Sequence, residues 1–139
     1  MLIQKLIVYG CLGVMLEVFF TGFHSIIILR NRSAISRTSL WMIPVYGGGA
    51  LWLGFLRTVV PLPIMFVPLA TLSIFAAEYV AGWIFRKLGI RIWDYSHSKF
   101  SIQGLIRVDY LPFWLMVAVA FDQLSDYVAK IMELVGKMA

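Results

Sequence analysis

Charge is what this sequence has least of. Asp, Glu, Lys and Arg make up 14% of its 139 residues, where a soluble domain carries roughly a quarter. A soluble fold is argued against by the same composition, since 61% of the chain is hydrophobic and small domains leave much of their surface exposed. Cysteine occurs once, as Cys11 inside the first apolar run. No disulfide within the chain is possible, and a small core residue is expected there. The two histidines, His24 and His97, have no second His or Cys at metal-ligand spacing, so no metal site and no cofactor is expected. Phosphate-binding loops, Gly-x-Ser-x-Gly and HExxH are all missing, and ATP hydrolysis by this chain has no support.

What is present is apolar and comes in four runs, at residues 6–29, 40–58, 64–85 and 109–128. Each is long enough, or nearly so, to cross a hydrocarbon core of about 30 Å as a helix. The expectation is an all-α integral membrane protein, residues 1–139 forming a single membrane domain with a bundle of four transmembrane helices. Backbone groups in lipid must be satisfied within the segment, which favours helices. The first run is longer than a signal-peptide core and no small-residue cleavage site follows it, so a retained helix is expected. Pro61 and Pro63 form a stiff turn between the second and third runs. Pro68 and Pro112 stand in the first turns of their helices, where a missing donor costs least. Pro44 and Gly47-Gly48-Gly49 fall inside the second run, which is therefore expected to be kinked, opened, or closely approached by a neighbour. Arg57 closes that run and is expected to snorkel.

The net charge of +5 does not point to nucleic acid, because the basic residues lie between apolar runs and form no patch. Loops 30–39 and 86–107 hold eight of them, against four on the opposite side. The positive-inside rule then places both loops in the cytoplasm and both termini outside. The tail after Val128 continues the fourth helix, with Asp126/Lys130 and Glu133/Lys137 as favourable i,i+4 pairs.

Three acids lie within the runs: Glu17, Glu78 and Asp122. An ionised side chain at the bilayer centre costs roughly 2.5–3.5 kcal/mol on insertion scales, so each needs a partner or a proton. Glu17 and Glu78 differ in depth by about five residues, which a helix tilt would bring level. They suit a polar site for a cation, a proton or an amine, or else a structural hydrogen bond that holds the bundle. Asp122, toward the outer end of its run, is expected to be solvated. Ser73, Ala77 and Ala81 recur every four residues and offer a face for close helix approach. The stretch 89–110 mixes aromatics with charge. Trp93 and Tyr95 suit the headgroup layer, and Asp94, Lys99 and Arg107 are expected to pair with each other or with lipid phosphates.

Six blocks carry a family resemblance: Gly13-x-x-x-Glu17; Pro44-Val-Tyr46-Gly47-Gly-Gly49; Glu78-Tyr-x-x-Gly82-Trp83; Trp93-Asp94-Tyr95-Ser96; Phe100-x-x-x-Gly104-x-Ile106; and Pro112-Phe113-Trp114. From Gly13 to Trp114 the chain resembles the bacterial ABC-transporter permeases of the CmpB type, a family related to small eukaryotic transmembrane proteins. Gly48 departs from the large apolar or aromatic residue common at that place, which implies a looser backbone. The resemblance implies a membrane protein and no particular transport reaction. The polar residues it carries over are Glu17, Tyr46, Glu78, Trp93, Asp94 and Tyr95. With Arg107 these are the candidate ligand-binding residues; no catalytic residue is expected.

The first functional expectation is a transport-type or lipid- and small-ligand-handling module with an intramembrane polar site. Four helices rarely enclose a pore, so membrane lipid, a homo-oligomer or a heterologous membrane subunit is the expected partner. The alternative is a structural or regulatory accessory subunit of a larger membrane complex. A lipid-modifying enzyme using Glu17, Glu78 or Asp94 as acid or base ranks third, since no nucleophile–base pair accompanies them.

Overall fold

The computed structural model of the chain describes residues 2–28 and 30–138. Four helices account for most of it: α1 (Leu2–Ile27), α2 (Met42–Val59), α3 (Pro63–Lys87) and α4 (Leu111–Met138). Between α3 and α4 lie two short strands, β1 (Ser101–Ile102) and β2 (Ile106–Arg107), and a 3-10 turn at Val108–Tyr110. The fold class is thus all-α. Of the four helices, α1 and α3 are long and apolar enough to cross a membrane. The other two, among the described residues, are long enough but less apolar. α2 has 18 residues, and Gly47, Gly48, Gly49 and Gly54 dilute its hydropathy. α4 carries Asp122, Asp126, Lys130, Glu133 and Lys137 along its second half.

The helix ends correct several expectations. α2 begins at Met42, so Pro44 stands in its first turn, where a missing N–H costs little. The helix then runs unbroken through Gly47-Gly48-Gly49, so it is not opened there, and of the expected alternatives the close approach of a neighbour is met at Gly47. Leu29, the expected end of the first run, lies outside the described residues. α4 continues to Met138 as the tail predicted, with Lys137 and Glu133 paired at 2.7 Å. α3 ends where Gly89, at φ +73°, lets Ile90 N–H reach the Phe85 carbonyl at 2.9 Å. That closing turn needs a left-handed residue, and glycine adopts it without a Cβ clash.

The chain divides into two compact units, Met1–Leu51 and Trp52–Ala139. In the first, α1 and the start of α2 meet backbone to backbone. A Cβ on Gly10 would strike the Ile43 carbonyl, and one on Gly47 would strike the Leu6 carbonyl. At Gly13 it would lie 2.5 Å from Tyr46 Cβ. Glycine at these three places is a packing requirement.

The second unit packs α3 against α4 around Leu53, Phe66, Ala70 and Ala118, all buried, with Leu56, Val67, Ile74 and Phe121 around them. Ala70 and Ala118 are fully buried, which allows close approach of the two helices. Arg57, at the end of α2, pairs with Asp122 of α4, Nε to Oδ1 at 2.6 Å. The same guanidinium reaches the Pro61 carbonyl and lies over the Phe66 ring, 5.5 Å from its centroid. The Asp122 side chain is only 3% exposed. This overturns the expected solvated aspartate, and Arg57 is drawn inward by the pair.

Candidate functional site

Each unit holds one of the two glutamates, and in each a polar segment folds back along the helix to meet it. In the first unit the chain leaves α1 at Ile27, turns through Arg30 and Ala34, both at positive φ, and returns beside the helix it has left. The Asn31 side chain accepts from Ser33 N–H at 3.0 Å, a local turn of the kind asparagine favours. Ser36 Oγ then donates to the Val18 carbonyl at 2.7 Å. Thr38 Oγ1 donates to Glu17 Oε2 at 2.6 Å. Gly22 makes room for this return, since a Cβ there would lie 3.0 Å from Ser36 Oγ. Glu17 is half-buried and Arg37 is exposed. Tyr46 packs on Gly13, one turn before Glu17.

In the second unit the returning segment is larger and self-supporting. β1 and β2 pair antiparallel, Ser101 opposite Arg107 and Ile102 opposite Ile106. Gln103 and Gly104 turn the hairpin with φ of 52° and 70°, a mirror-image turn that matches strand twist. Trp93 Nε1 donates to the Leu105 carbonyl at 2.8 Å, its ring edge-on to Phe85 and against Gly82 of α3. Tyr95 N–H donates to the Gly104 carbonyl at 3.0 Å. Tyr79 donates to Gln103 Oε1 at 2.9 Å, and Arg86 donates to the Gln103 carbonyl at 2.9 Å. The hairpin is therefore fastened to one face of α3. From it Tyr95 Oη donates to Glu78 Oε1 at 3.0 Å. Trp114 of α4 is the second side chain that interacts with this carboxyl. Glu78 Oε2 and Trp114 Nε1 are both buried, and neither has a hydrogen-bond partner of good geometry among the described residues.

The charges of this segment are settled locally. Arg107 donates to Asp109 at 3.1 and 2.5 Å and to Tyr110 Oη at 3.2 Å. It lies 4.4 Å from the Tyr110 ring centroid and 6.0 Å from that of Tyr95. Its hydrogen bonds to Asp109 hold its pKa above the ordinary arginine value. Asp94 accepts from the Ser96 hydroxyl at 2.5 Å and the Ser96 amide at 2.9 Å, which hold its carboxyl below the usual range. Arg91 is its ion-pair partner at 3.2 Å. The expected pairing of Asp94 with Arg107 is thus corrected: each has a nearer partner in its own turn.

Of the seven candidates, the structure brings Glu78, Trp93, Asp94, Tyr95 and Arg107 into one unit and joins Glu78 to Tyr95 directly. Glu17 and Tyr46 belong to the other unit. Sequence reasoning missed Thr38 and Trp114 as partners of the two acids. Trp114 had a signal, as the last residue of the sixth block; a lone threonine in a loop has none. The described residues hold no group of three or more His, Cys, Asp or Glu placed to bind a metal.

No solved structure is similar to this chain. A family model described as "Putative ABC-transporter type IV" matches residues 5–138, nearly the whole length. The chain belongs to that family, the CmpB-type ABC-transporter proteins to which its six sequence blocks point.

Proposed function

We propose that this protein is a transport-type or lipid- and small-ligand-handling membrane module, with Glu17 and Glu78 as its intramembrane acids. The reading includes four crossings, with loops 30–39 and 86–107 on the cytoplasmic side and both termini outside, in a bacterial inner membrane. One observation carries it. Each membrane-length helix has a glutamate near its middle, and each glutamate accepts a hydrogen bond from a loop that returns to it. An acid in such a place is expensive unless used or paired, and intramembrane acids usually mark an ion or ligand path. Tyr46, Trp93, Asp94, Tyr95 and Arg107 shape the surroundings of the two carboxyls. The test is native mass spectrometry from mild detergent, comparing the protein with Glu17→Gln plus Glu78→Gln. A lipid or small ligand retained by the first and lost by the second is expected; identical spectra would contradict a site at these acids.

A second reading, an accessory subunit, is favoured by one feature. Ser73, Ala76 and Ala77 of α3, with Trp52 and Val80, line an apolar groove of about 310 Å³, suited to a partner helix or a second copy. A fixed protein partner in the same spectra, with no ligand, would establish that role instead.

A further inference from the structure

The return of residues 34–39 along α1 has a consequence for access to Glu17. Glu17 lies ten residues before the end of α1, about 15 Å along the axis. Thr38 bonds its carboxylate and Ser36 bonds the next carbonyl, so the loop reaches the same level. If α1 crosses the membrane, as proposed above, that level is about half the thickness of a 30 Å hydrocarbon core. This stretch has no regular structure. The amides of Asn31, Ser33 and Ala34 find protein acceptors, and amides do so again from Trp41. Among the described residues, no protein acceptor meets the amides of residues 35–40. Non-helical backbone with open donors is not tolerated against lipid; at membrane depth it occurs only inside protein or along a water-filled cavity. Arg37, between the two anchoring hydroxyls and exposed, makes lipid contact more costly still.

We infer that residues 34–39 form a re-entrant segment lining a water-filled vestibule, which opens at the C-terminal end of α1 and brings protons to the Glu17 carboxylate. A proton is the ligand these groups fit best. A desolvated metal cation wants several oxygen ligands, and no cluster of three acidic, histidine or cysteine side chains is formed among the described residues. A guanidinium on the residue next to Thr38 would also repel a bound cation. One carboxylate with one hydroxyl supplies too few oxygens for such an ion. Thr38 is the positioning residue that holds the carboxylate toward the segment.

The test is cysteine accessibility in sealed vesicles of each orientation, in a Cys11→Ala background, with a membrane-impermeant maleimide. Arg37→Cys and Thr38→Cys should be labelled from the side that labels Arg32→Cys. Leu16→Cys and Phe19→Cys replace exposed apolar residues of α1 and should be labelled from neither side. The expected contrast is roughly tenfold or more, because the reactive thiolate forms only where water reaches it. If Arg37→Cys and Thr38→Cys are silent while the α1 controls are also silent, the vestibule is wrong and the crossing of α1 stands. If Leu16→Cys and Phe19→Cys react as fast as Arg32→Cys, α1 is not in lipid and both readings fall.

Discussion

The two units solve one problem in two ways. Each must keep an acid in the middle of an apolar helix, and each follows that acid with a glycine, Gly22 or Gly82, against which a returning segment rests. Each also opens its next helix with a proline two residues before an aromatic: Pro44 and Tyr46 in one, Pro112 and Trp114 in the other. The difference lies in closure. In the first unit the returning segment is thin, the amides of residues 35–40 have no protein acceptor among the described residues, and Glu17 is met by a short hydroxyl. In the second a fastened hairpin carries Tyr95 onto Glu78, and Trp114 comes from α4. Glu78 Oε2 is fully shielded. An open acid and a closed acid have different uses. Under the inference above the open one exchanges with water, whereas the closed one organises its surroundings through hydrogen bonds that cost more to leave unmade.

The contrast can be broken from its firmest point downward. Asp122→Ala in the second unit leaves Arg57 without its partner. About 2–3 kcal/mol should be lost, below the roughly 3–5 kcal/mol of a wholly buried pair because Arg57 is partly exposed. An unchanged thermal melt in detergent would show that the pair does not hold this unit. Next, Gly47→Ala in the first unit drives a methyl into the Leu6 backbone and should cost about 1–3 kcal/mol. Gly48→Ala meets nothing within 4 Å and should gain about 0.5–1 kcal/mol from helix propensity. Equal effects of the two would refute the backbone crossing. Tyr95→Phe should destabilise by about 1–2 kcal/mol because a buried carboxyl loses its donor. Thr38→Val should cost clearly less, since water replaces the hydroxyl at an open acid. A larger loss from Thr38→Val in the same melting assay would reverse the assignment of open and closed.

The smallest effect is one of pH. The Asp94 carboxyl is held below its ordinary pKa, so its contribution to the hairpin is fully present above about 3.9, the value in an unfolded chain. It is lost as pH falls through the lower folded value. Hydrogen exchange of the Ser96 amide should therefore stay slow down to mildly acid pH and quicken only below the ordinary carboxylate range. Quickening that begins near neutrality would show that another group supports the turn.

The membrane-length helices, the two acids and the helical tail were legible because apolar runs and isolated charges are local signals. The ion pair was not. Arg57 and Asp122 stand on different helices, and position within a run made one a snorkelling residue and the other a solvated one. The return of residues 34–39 was equally hidden, since its bonds join residues 18 and 21 positions apart and a serine and a threonine carry no periodicity. The hairpin has strands of two residues each, too short to show alternation. Its place was marked by its unusual mixture of aromatic and charged side chains and by the fourth and fifth blocks of the resemblance, neither of which shows a hairpin. The glycines of α2 left three readings open, and the structure bears out the close approach of a neighbour at Gly47, where α1 fits against the helix. A glycine run alone does not say which of its members faces that neighbour.

The open and closed acids can be compared most directly by treating the membrane-embedded protein with a water-soluble carbodiimide and an amine, then mapping adducts by peptide mass spectrometry. Modification at Glu17, with Glu78 spared, is the predicted result. Equal modification of both, or modification of Glu78 alone, would contradict the account.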